Sequence, residues 1–430
     1  MPQPNILYMH SHDTGRYVAP YGYAVPTPRI QRLAEEGVLF RRMFNAAPTC
    51  SPSRAAMLTG MWPHSCGMLG LVNKGLRMPD YRIHVVSTLK QAGYTTALTG
   101  IQHVARYSQE IGYNRLLDEG DHPPIDYDGS LTRDTAVKFL NDAPDQPFFL
   151  SVGFHDTHRP YPEVAEEDGN YLMPPAPLPD TPETRRDWAA HVASAKRLDT
   201  NMGAVLDALE ANGLADNTLI ICATDHGVAF PDMKCTLTDH GMGVMFIMRG
   251  PGGFTGGKVV DAMLSHVDVF PTLCEVLEID PPEWLQGTSF MPILRGETEE
   301  VRDELFAEVT FHAGYEPKRC VRTQRWKYIR RFDGRTRRVF RNTDDGGAKS
   351  LWIDNGWMDI PIEEESLYDL MFDPQERRNL AGDPAHGETL AELRGRLQRW
   401  MEDTDDPILK GPVPVPEDAG NHDPDSMRVG

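Results

Sequence analysis

The sequence has no run of about 20 apolar residues, the length that a membrane-spanning helix needs. Its first residues contain neither a basic segment nor the apolar core of a secretory signal, and no Asn-x-Ser/Thr glycosylation sequence occurs. These absences exclude a membrane span and predict a cytoplasmic location. Cysteine is also scarce, and the six cysteines show neither the spacing of a zinc site nor that of a disulfide framework.

Positive charge is in short supply as well. The chain has 43 Lys and Arg residues against 63 Asp and Glu residues, which gives a formal net charge of −20. A surface this acidic repels polyanions, so we expect neither nucleic acid nor a membrane surface among the partners. A small anionic substrate is still compatible with this charge, because a binding site can be locally positive.

The order of apolar runs predicts an α/β protein. Through residues 1–300, short apolar runs alternate with helical patterns, which is typical of a largely parallel sheet flanked by helices. Five runs are predicted strands: residues 5–9, 95–98, 148–153, 219–223 and 244–248. Residues 301–409 are predicted to form a smaller α+β subdomain with antiparallel strands, one of them at 338–341, and residues 410–430 a surface tail.

Polar loops follow four of the predicted strands, and they contain six of the 15 histidines. In an open parallel sheet, ligands bind beyond the carboxyl ends of the strands, so these loops should meet at one edge. A single histidine after a strand usually only forms loop hydrogen bonds, but four such loops together favour a site. The pairs His12-Asp13 and Asp225-His226 predict four ligands to a divalent metal. Imidazole and carboxylate together suit Mn²⁺ or Zn²⁺, whereas oxygen-rich sites suit Ca²⁺ or Mg²⁺.

The most specific pattern is C-S-P-S-R-A-A-M-L-T-G, at residues 50–60. Cys50 is predicted to lie just before a helix at 53–58, with Pro52 suited to the first turn. Free backbone N–H groups there would lower the thiol pKa and attract an anion. Arg54, one turn further on, offers a planar fork for a tetrahedral oxyanion. The alternative interpretation is a buried cysteine at an ordinary capped helix start.

This segment matches, position for position, the C-x-P-S-R-x-x-x-L-T-G motif of the type I sulfatases in the alkaline phosphatase superfamily. The chain resembles that family over nearly its whole length, and residues 63–71 resemble its N-sulfoglucosamine sulfohydrolases. The resemblance implies an alkaline phosphatase-like sheet and conversion of Cys50 to Cα-formylglycine by a maturation enzyme. It implies one divalent metal, Ca²⁺ in the family, with these ligands: His12, Asp13, Cys50, Asp225 and His226. It further implies these catalytic residues: Cys50, Arg54, His103, His158 and Lys234.

In the mechanism that the resemblance implies, a hydroxyl of the hydrated aldehyde attacks sulfur and Asp13 accepts its proton. His158 then protonates the leaving group with help from Lys234, and His103 assists the release of sulfate. Two positions depart from the family pattern. His12 stands where the family has Asp, which moves the metal preference from Ca²⁺ towards Mn²⁺. Ile101 replaces a lysine that normally helps to hold the sulfate.

The resemblance implies a sulfuric ester or sulfamate hydrolase that releases inorganic sulfate from a small anionic substrate, with a sulfated saccharide as the leading interpretation. One alternative is a formylglycine-dependent phosphonate monoester or phosphodiester hydrolase of the same superfamily. Another is an inactive protein that binds sulfated glycans. Within residues 311–319, a candidate specificity loop, three side chains could meet an anionic sugar: His312, Lys318 and Arg319. The oligomeric state is open.

Overall fold

The computed structural model describes residues 3–120, 125–416 and 419–427, and within them the chain forms fourteen strands and eleven α-helices. The strands are β1 (Asn5–Ser11), β2 (Val38–Phe40), β3 (Met43–Phe44), β4 (Thr95–Gly100), β5 (Arg115–Leu116), β6 (Phe148–Gly153), β7 (Thr218–Thr224), β8 (Phe246–Arg249), β9 (Lys258–Val260), β10 (Leu264–Ser265), β11 (Glu304–Phe311), β12 (Tyr315–Thr323), β13 (Trp326–Arg331) and β14 (Glu365–Asp369). The α-helices are α1 (Pro28–Glu36), α2 (Cys50–Thr59), α3 (Pro63–Cys66), α4 (Val85–Gln91), α5 (Ser130–Asn141), α6 (Pro182–Ala211), α7 (Asp239–Met242), α8 (Val269–Val276), α9 (Met291–Leu294), α10 (Gly347–Asp354) and α11 (Gly387–Asp403).

Eight strands form the central sheet, in the order β5-β4-β6-β1-β7-β8-β2-β9. The neighbours β4, β6, β1 and β7 run parallel, so their carboxyl ends lie along one edge. β8 pairs antiparallel with both β7 and β2. The predicted mostly parallel sheet is therefore confirmed, and its four adjacent parallel strands are those that the histidine-rich loops follow.

Strand β1 shows why this sheet forms. All seven of its residues are buried, and the four apolar ones alternate between two apolar clusters on opposite faces of the sheet. Ile6 and Tyr8 pack into one cluster with α2, α4 and α8, and Leu7 and Met9 pack into the other with α1, α5 and α6. Each buried side chain of this size stabilises the fold by about 1.5–3 kcal/mol. Because both faces are covered, the strand reads as one continuous apolar run. No helix among the described residues is long and apolar enough to cross a membrane.

The sequence prediction places the start of α2 too late. Cys50 is the first helical residue and Thr49 is the N-cap, so the helix includes the cysteine instead of following it. The first four N–H groups of a helix have no intrahelical acceptor, so Pro52, which has no N–H, costs nothing in the first turn. The prediction that Pro52 suits the first turn is confirmed, but that turn begins at Cys50 and not near Ser53.

The predicted antiparallel subdomain is present as a four-stranded sheet, β11-β12-β13-β14, and α11 packs on it through Leu393 and Trp400. The predicted strand at 338–341 is wrong, because this segment contains a 3₁₀-helix, Phe340–Asn342, and β14 is the fourth strand. A four-residue alternation is too short to distinguish the two. Apolar clusters join this sheet to the rest of the protein, and the boundaries at residues 300 and 409 stay predictions.

The described part of the predicted tail follows the surface but is held in place there. Val413 and His422 are buried. Tyr315 donates its backbone N–H to the carbonyl of His422 at 3.1 Å, and Gly420 donates its own to the carbonyl of Lys74 at 3.1 Å. The segment therefore joins the start of β12 to the region of residue 74.

Burial of neutral histidines predicts sensitivity to acid. His84, at the start of α4, is fully buried; its Nδ1 accepts the N–H of Val86 at 3.2 Å, and burial lowers its pKa to about 3. The unfolded chain, with a pKa near 6.5, therefore takes up the proton first as the pH falls. Stability contributed by neutral His84 is complete above pH 6.5 and is lost progressively as the pH falls towards 3.

We expect His84→Asn, which keeps a capping acceptor, to be less sensitive to acid. Its loss of unfolding free energy between pH 6.5 and pH 5 should be smaller than that of the wild type by about 2 kcal/mol. Urea unfolding at the two pH values measures this difference. His386→Asn, at a partly exposed position before α11, is the control, and an unchanged pH dependence of His84→Asn would contradict the prediction.

Candidate active site at the carboxyl edge of the central sheet

The loops after β1, β4, β6 and β7 meet at the carboxyl edge of the sheet, beside the start of α2. Backbone hydrogen bonds connect them: His12 donates to the carbonyl of Asp156 at 2.9 Å, Thr157 to that of His12 at 2.6 Å, and Gly15 to that of His226 at 2.9 Å. The structure brings all nine predicted site residues into this one cluster: His12, Asp13, Cys50, Arg54, His103, His158, Asp225, His226 and Lys234.

Five of these residues present donor atoms that could hold a metal ion. His12 Nδ1 lies 2.8 Å from Asp13 Oδ1 and 3.1 Å from Asp225 Oδ2. His226 Nε2 lies 3.3 Å from Asp13 Oδ1 and 3.3 Å from Cys50 Sγ. One atom from each of the five residues lies within 4.8 Å of all the others.

This spacing fits one divalent ion. Two ligands at right angles, each about 2.1 Å from a metal, lie about 3.0 Å apart, close to the distances seen here. The set offers two imidazoles and two carboxylates besides residue 50. Two nitrogen ligands favour Mn²⁺ or Zn²⁺ over Ca²⁺, which binds best to oxygen alone.

Two buried cations balance the two buried carboxylates. Arg54 is 2% exposed and donates from Nη2 to Asp225 Oδ2 at 3.0 Å and from Nη1 to His10 Nδ1 at 2.6 Å. Lys234, also 2% exposed, donates to Asp13 Oδ2 at 2.8 Å. Burial raises the pKa of Asp13, but Lys234 and the nearby histidines outweigh it and hold that pKa well below its ordinary value. Both carboxylates therefore stay charged, as metal ligands must be.

Cys50 differs from the sequence prediction in its acidity. Burial raises the pKa of its thiol well above the ordinary value, and the opposing effects of Lys234 and Arg54 do not cancel this. The expected lowering of that pKa by the helix start is therefore wrong, because enclosure and the charges of Asp13 and Asp225 outweigh the backbone dipoles. Without a bound metal ion, a plain cysteine here is a protonated thiol and a weak nucleophile.

Two histidines flank the cluster near Lys234 and His12. His158 Nε2 lies 3.4 Å from Lys234 Nζ, and His158 Nδ1 hydrogen-bonds the backbone carbonyl of Arg159. The carbonyl can only accept, so Nδ1 carries a proton and Nε2 is the atom free to exchange one. His103 Nδ1 lies 3.3 Å from His12 Nε2, and burial lowers the pKa of His103 to about 3.

Sequence reasoning missed Asp344. This residue follows the 3₁₀-helix Phe340–Asn342, in the part of the chain that carries the antiparallel sheet. Its Oδ2 lies 3.1 Å from Lys234 Nζ. The two residues are 110 positions apart, and no spacing or motif links them, so only the fold could have identified Asp344.

The prediction that three side chains at 312–319 meet a sugar is wrong for Arg319. That residue is fully buried and donates to both carboxylate oxygens of Asp406, at 2.5 and 2.9 Å. Lys318 donates to the carbonyl of Cys235 at 3.0 Å. Both lie in β12, because the segment is largely a strand and not a loop. His312, which precedes that strand, is buried.

Two cavities open beside the cluster. One, of about 560 Å³, is lined by His103, His155 and Ile101 among others, and Lys74 and Arg106 also reach it. The other, of about 800 Å³, is lined by His158 and Asp344 among others. The cluster therefore has room for a ligand on both sides, with cationic side chains in the wall of the first cavity.

Comparisons with known proteins agree on one family. The family model described as Sulfatase matches residues 4–279, and that described as N-sulphoglucosamine sulphohydrolase, C-terminal, matches residues 229–345. The human protein named N-sulphoglucosamine sulphohydrolase is 28% identical, over 96% of this chain and 93% of its own. A protein of Formosa agariphila named Ulvan-active sulfatase is also 28% identical, over 93% of this chain and 75% of its own.

The fold is likewise similar to that of solved structures. A protein in complex with its substrate D-glucosamine-2-N,6-O-disulfate superposes with a TM-score of 0.72 at 20% identity. The match covers 95% of this chain and 99% of that one. This likeness supports the architecture described above, the parallel sheet together with the antiparallel one.

Proposed function

The chain belongs to the sulfatase family, whose model matches more than half of it, and we propose that it hydrolyses a sulfated saccharide through a formylglycine at position 50 and one divalent metal. The observation that carries this proposal is the convergence of Cys50, four metal-binding side chains and two buried cations at one edge of the sheet.

The proposed chemistry depends on an aldehyde at residue 50, on a divalent ion and on the side chains around them. A hydrated aldehyde at residue 50 would supply the attacking oxygen, and a divalent ion held by His12, Asp13, Asp225 and His226 would make that oxygen more acidic. Asp13 is charged, and its ligand oxygen lies within 4.8 Å of the sulfur of residue 50, so we assign it as the acceptor of that proton. Arg54 and Lys234 hold fixed positive charge near residue 50, which stabilises the growing negative charge on the sulfate oxygens.

His158 is the proton donor to the leaving group in this proposal, with Lys234 assisting. Its Nε2 lies 3.4 Å from Lys234 Nζ, and its side chain lines the cavity of about 800 Å³, where a leaving sugar would lie. His103, next to His12, would take the proton that accompanies sulfate release. Enclosure keeps His103 neutral and therefore able to act as a base.

The relatives favour a sugar as the substrate. Two of the proteins reported above are named for sugar or polysaccharide substrates, and the solved structure holds a sulfated glucosamine. The match of residues 229–345 to the C-terminal part of N-sulphoglucosamine sulphohydrolase includes Lys234 and Asp344. We therefore propose an amino-sugar sulfamate or sulfate ester as the first substrate class to test.

Two observations favour a second candidate, a phosphonate monoester or phosphodiester hydrolase. Ile101 lines the cavity of about 560 Å³ where the family has a sulfate-binding lysine, and the ligand set contains two imidazoles. A phosphonate monoester or phosphodiester has two non-bridging oxygens where a sulfate monoester has three, so it needs fewer cationic contacts. Mn²⁺ suits both the ligand set and this chemistry.

The test is a substrate panel with protein produced together with a formylglycine-generating enzyme and supplied with Mn²⁺ or Ca²⁺. Ion chromatography would measure sulfate released from N-sulfoglucosamine, glucosamine 6-sulfate and 4-nitrophenyl sulfate. Absorbance would measure cleavage of 4-nitrophenyl phenylphosphonate. Faster turnover of the sulfated sugars supports the proposal, whereas turnover of the phosphonate alone would favour the second candidate.

The role of His158 gives a testable difference between substrates. For His158→Asn, we expect kcat to fall by about 10²–10⁴-fold on a sulfated sugar, whose leaving group needs a proton. On 4-nitrophenyl sulfate the loss should be much smaller, because nitrophenolate leaves without protonation. His386→Asn serves as the control. Equal losses on both substrates would contradict the assignment of His158 as a proton donor.

A further inference from the structure

Asp344 is a buried carboxylate that the mechanism above does not use. It is 8% exposed, and Lys234 Nζ lies 3.1 Å from its Oδ2 and 3.4 Å from its Oδ1. Within the described residues, Oδ2 takes part in no well-aligned hydrogen bond. An ionised carboxylate can accept about four hydrogen bonds, and buried polar groups are normally satisfied. Asp344 is therefore short of donors.

Lys234 cannot supply all the hydrogen bonds that the Asp344 carboxylate can accept. Its ammonium also donates to Asp13 at 2.8 Å and lies 3.4 Å from His158 Nε2, so its three N–H groups are shared among three neighbours. A buried charge whose cationic partner is shared with two other groups is costly unless a further donor arrives. The carboxylate thus has acceptor capacity that the described part of the chain does not use, and Asp344, although mostly buried, lines a cavity from which a donor could approach.

The position of Asp344 indicates where that donor comes from. Asp344 and His158 line the same cavity, of about 800 Å³, together with Arg159 and Tyr161. If His158 protonates the leaving group, the leaving part of the substrate lies in this cavity. The sulfate itself cannot be the partner of Asp344, because two anions repel each other. A donor on the leaving group can be.

We propose that Asp344 is a specificity-determining residue, which accepts a hydrogen bond from a hydroxyl or ammonium group of the leaving saccharide. This inference rests on the proposed function and extends it, because it names what the enzyme recognises beside the sulfate. It also predicts discrimination: a sugar with a second sulfate or a carboxylate at that position would face the charge of Asp344 and be rejected.

The experiment compares Asp344→Asn and Asp344→Ala with the wild type on three substrates: N-sulfoglucosamine, glucosamine 6-sulfate and 4-nitrophenyl sulfate. For Asp344→Ala, we expect KM for the sugar that the wild type hydrolyses to rise by about 10- to 100-fold, since a hydrogen bond to a charged group is lost. Any change for 4-nitrophenyl sulfate, which reports the effect on Lys234 alone, should be at least about tenfold smaller than that for the sugar, because its ring has no donor. The exposed Asp354→Asn, in α10, is the matched control for folding and expression.

A second readout does not depend on sugar turnover. Glucosamine should compete with 4-nitrophenyl sulfate, and its inhibition constant should rise about tenfold in Asp344→Asn. Asp344→Asn keeps the size of the side chain, so it serves where the alanine variant does not fold. Both readouts use the loaded holoenzyme, with residue 50 converted and metal bound.

Two results would overturn the inference alone. Equal losses on the aryl sulfate and the sugar would mean that Asp344 only positions Lys234. Unchanged KM and inhibition constants, in an otherwise active enzyme, would mean that no substrate group meets Asp344. A wild-type holoenzyme inactive on all three substrates would instead overturn the proposed function, and the inference with it.

Discussion

Replacing Cys50 by alanine is expected to lower the rate of sulfate release by at least about 10⁴-fold, the scale of loss that follows removal of a covalent nucleophile. The side chain lies at the start of α2, and His226 Nε2 is 3.3 Å from its sulfur. Alanine leaves no group there that can be oxidised to an aldehyde. The fold should survive the change, because residue 50 contributes only one small buried side chain.

Two measurements decide this prediction. Peptide mass spectrometry across residues 42–54 should show a mass lower by about 18 Da in the active wild type, as the thiol becomes an aldehyde. Sulfate release by Cys50→Ala should equal the background rate. Cys274→Ala, another buried thiol, in α8, is the matched control and should keep full activity. Full activity in wild type that carries an unmodified thiol would refute the formylglycine assignment.

The second large effect is expected from Asp13→Asn. This variant keeps the shape of the side chain but removes the charge that faces His12, His226 and Lys234. Because divalent ions prefer a carboxylate to a neutral amide, the dissociation constant for Mn²⁺ should rise by about 100-fold or more. Activity should fall by at least about 10³-fold at the metal concentration that saturates the wild type.

Calorimetric titration with Mn²⁺ and with Ca²⁺ measures the first effect, and the metal content of the purified protein is a second readout. Asp199→Asn is the matched control, because Asp199 is also a buried carboxylate but accepts backbone N–H groups at the start of α1. Metal binding by that control should equal the wild type. An Asp13→Asn variant that binds one ion as tightly as the wild type would show that this carboxylate is not a ligand.

Local sequence patterns predicted much of the site because its residues follow directly after buried strands. His12 and Asp13 come after β1, and Asp225 and His226 come after β7, which pairs with β1. A buried parallel strand is visible in one sequence, and its end fixes where the next residues lie. Neighbouring strands then bring the pairs together without any long-range information.

Features that depend on distant contacts could not be predicted in this way. Asp344 joins Lys234 only through packing of the antiparallel sheet, and Arg319 pairs with Asp406 across 87 residues. The predicted lowering of the Cys50 pKa is wrong for the same reason, since the burial that raises this pKa depends on the whole fold. The strand β14 was missed because its short alternating pattern resembles that of the segment at 338–341.

The burial of Cys50 also limits the period during which an enzyme can reach its thiol. The residue is 2% exposed in the folded chain, and His226, which contacts its sulfur, is synthesised 176 residues later. At about 5–20 residues per second, the ribosome needs about 10–35 s to reach that residue. During this interval His226 cannot cover the thiol, so the speed of elongation sets how long a modifying enzyme can act before this contact forms.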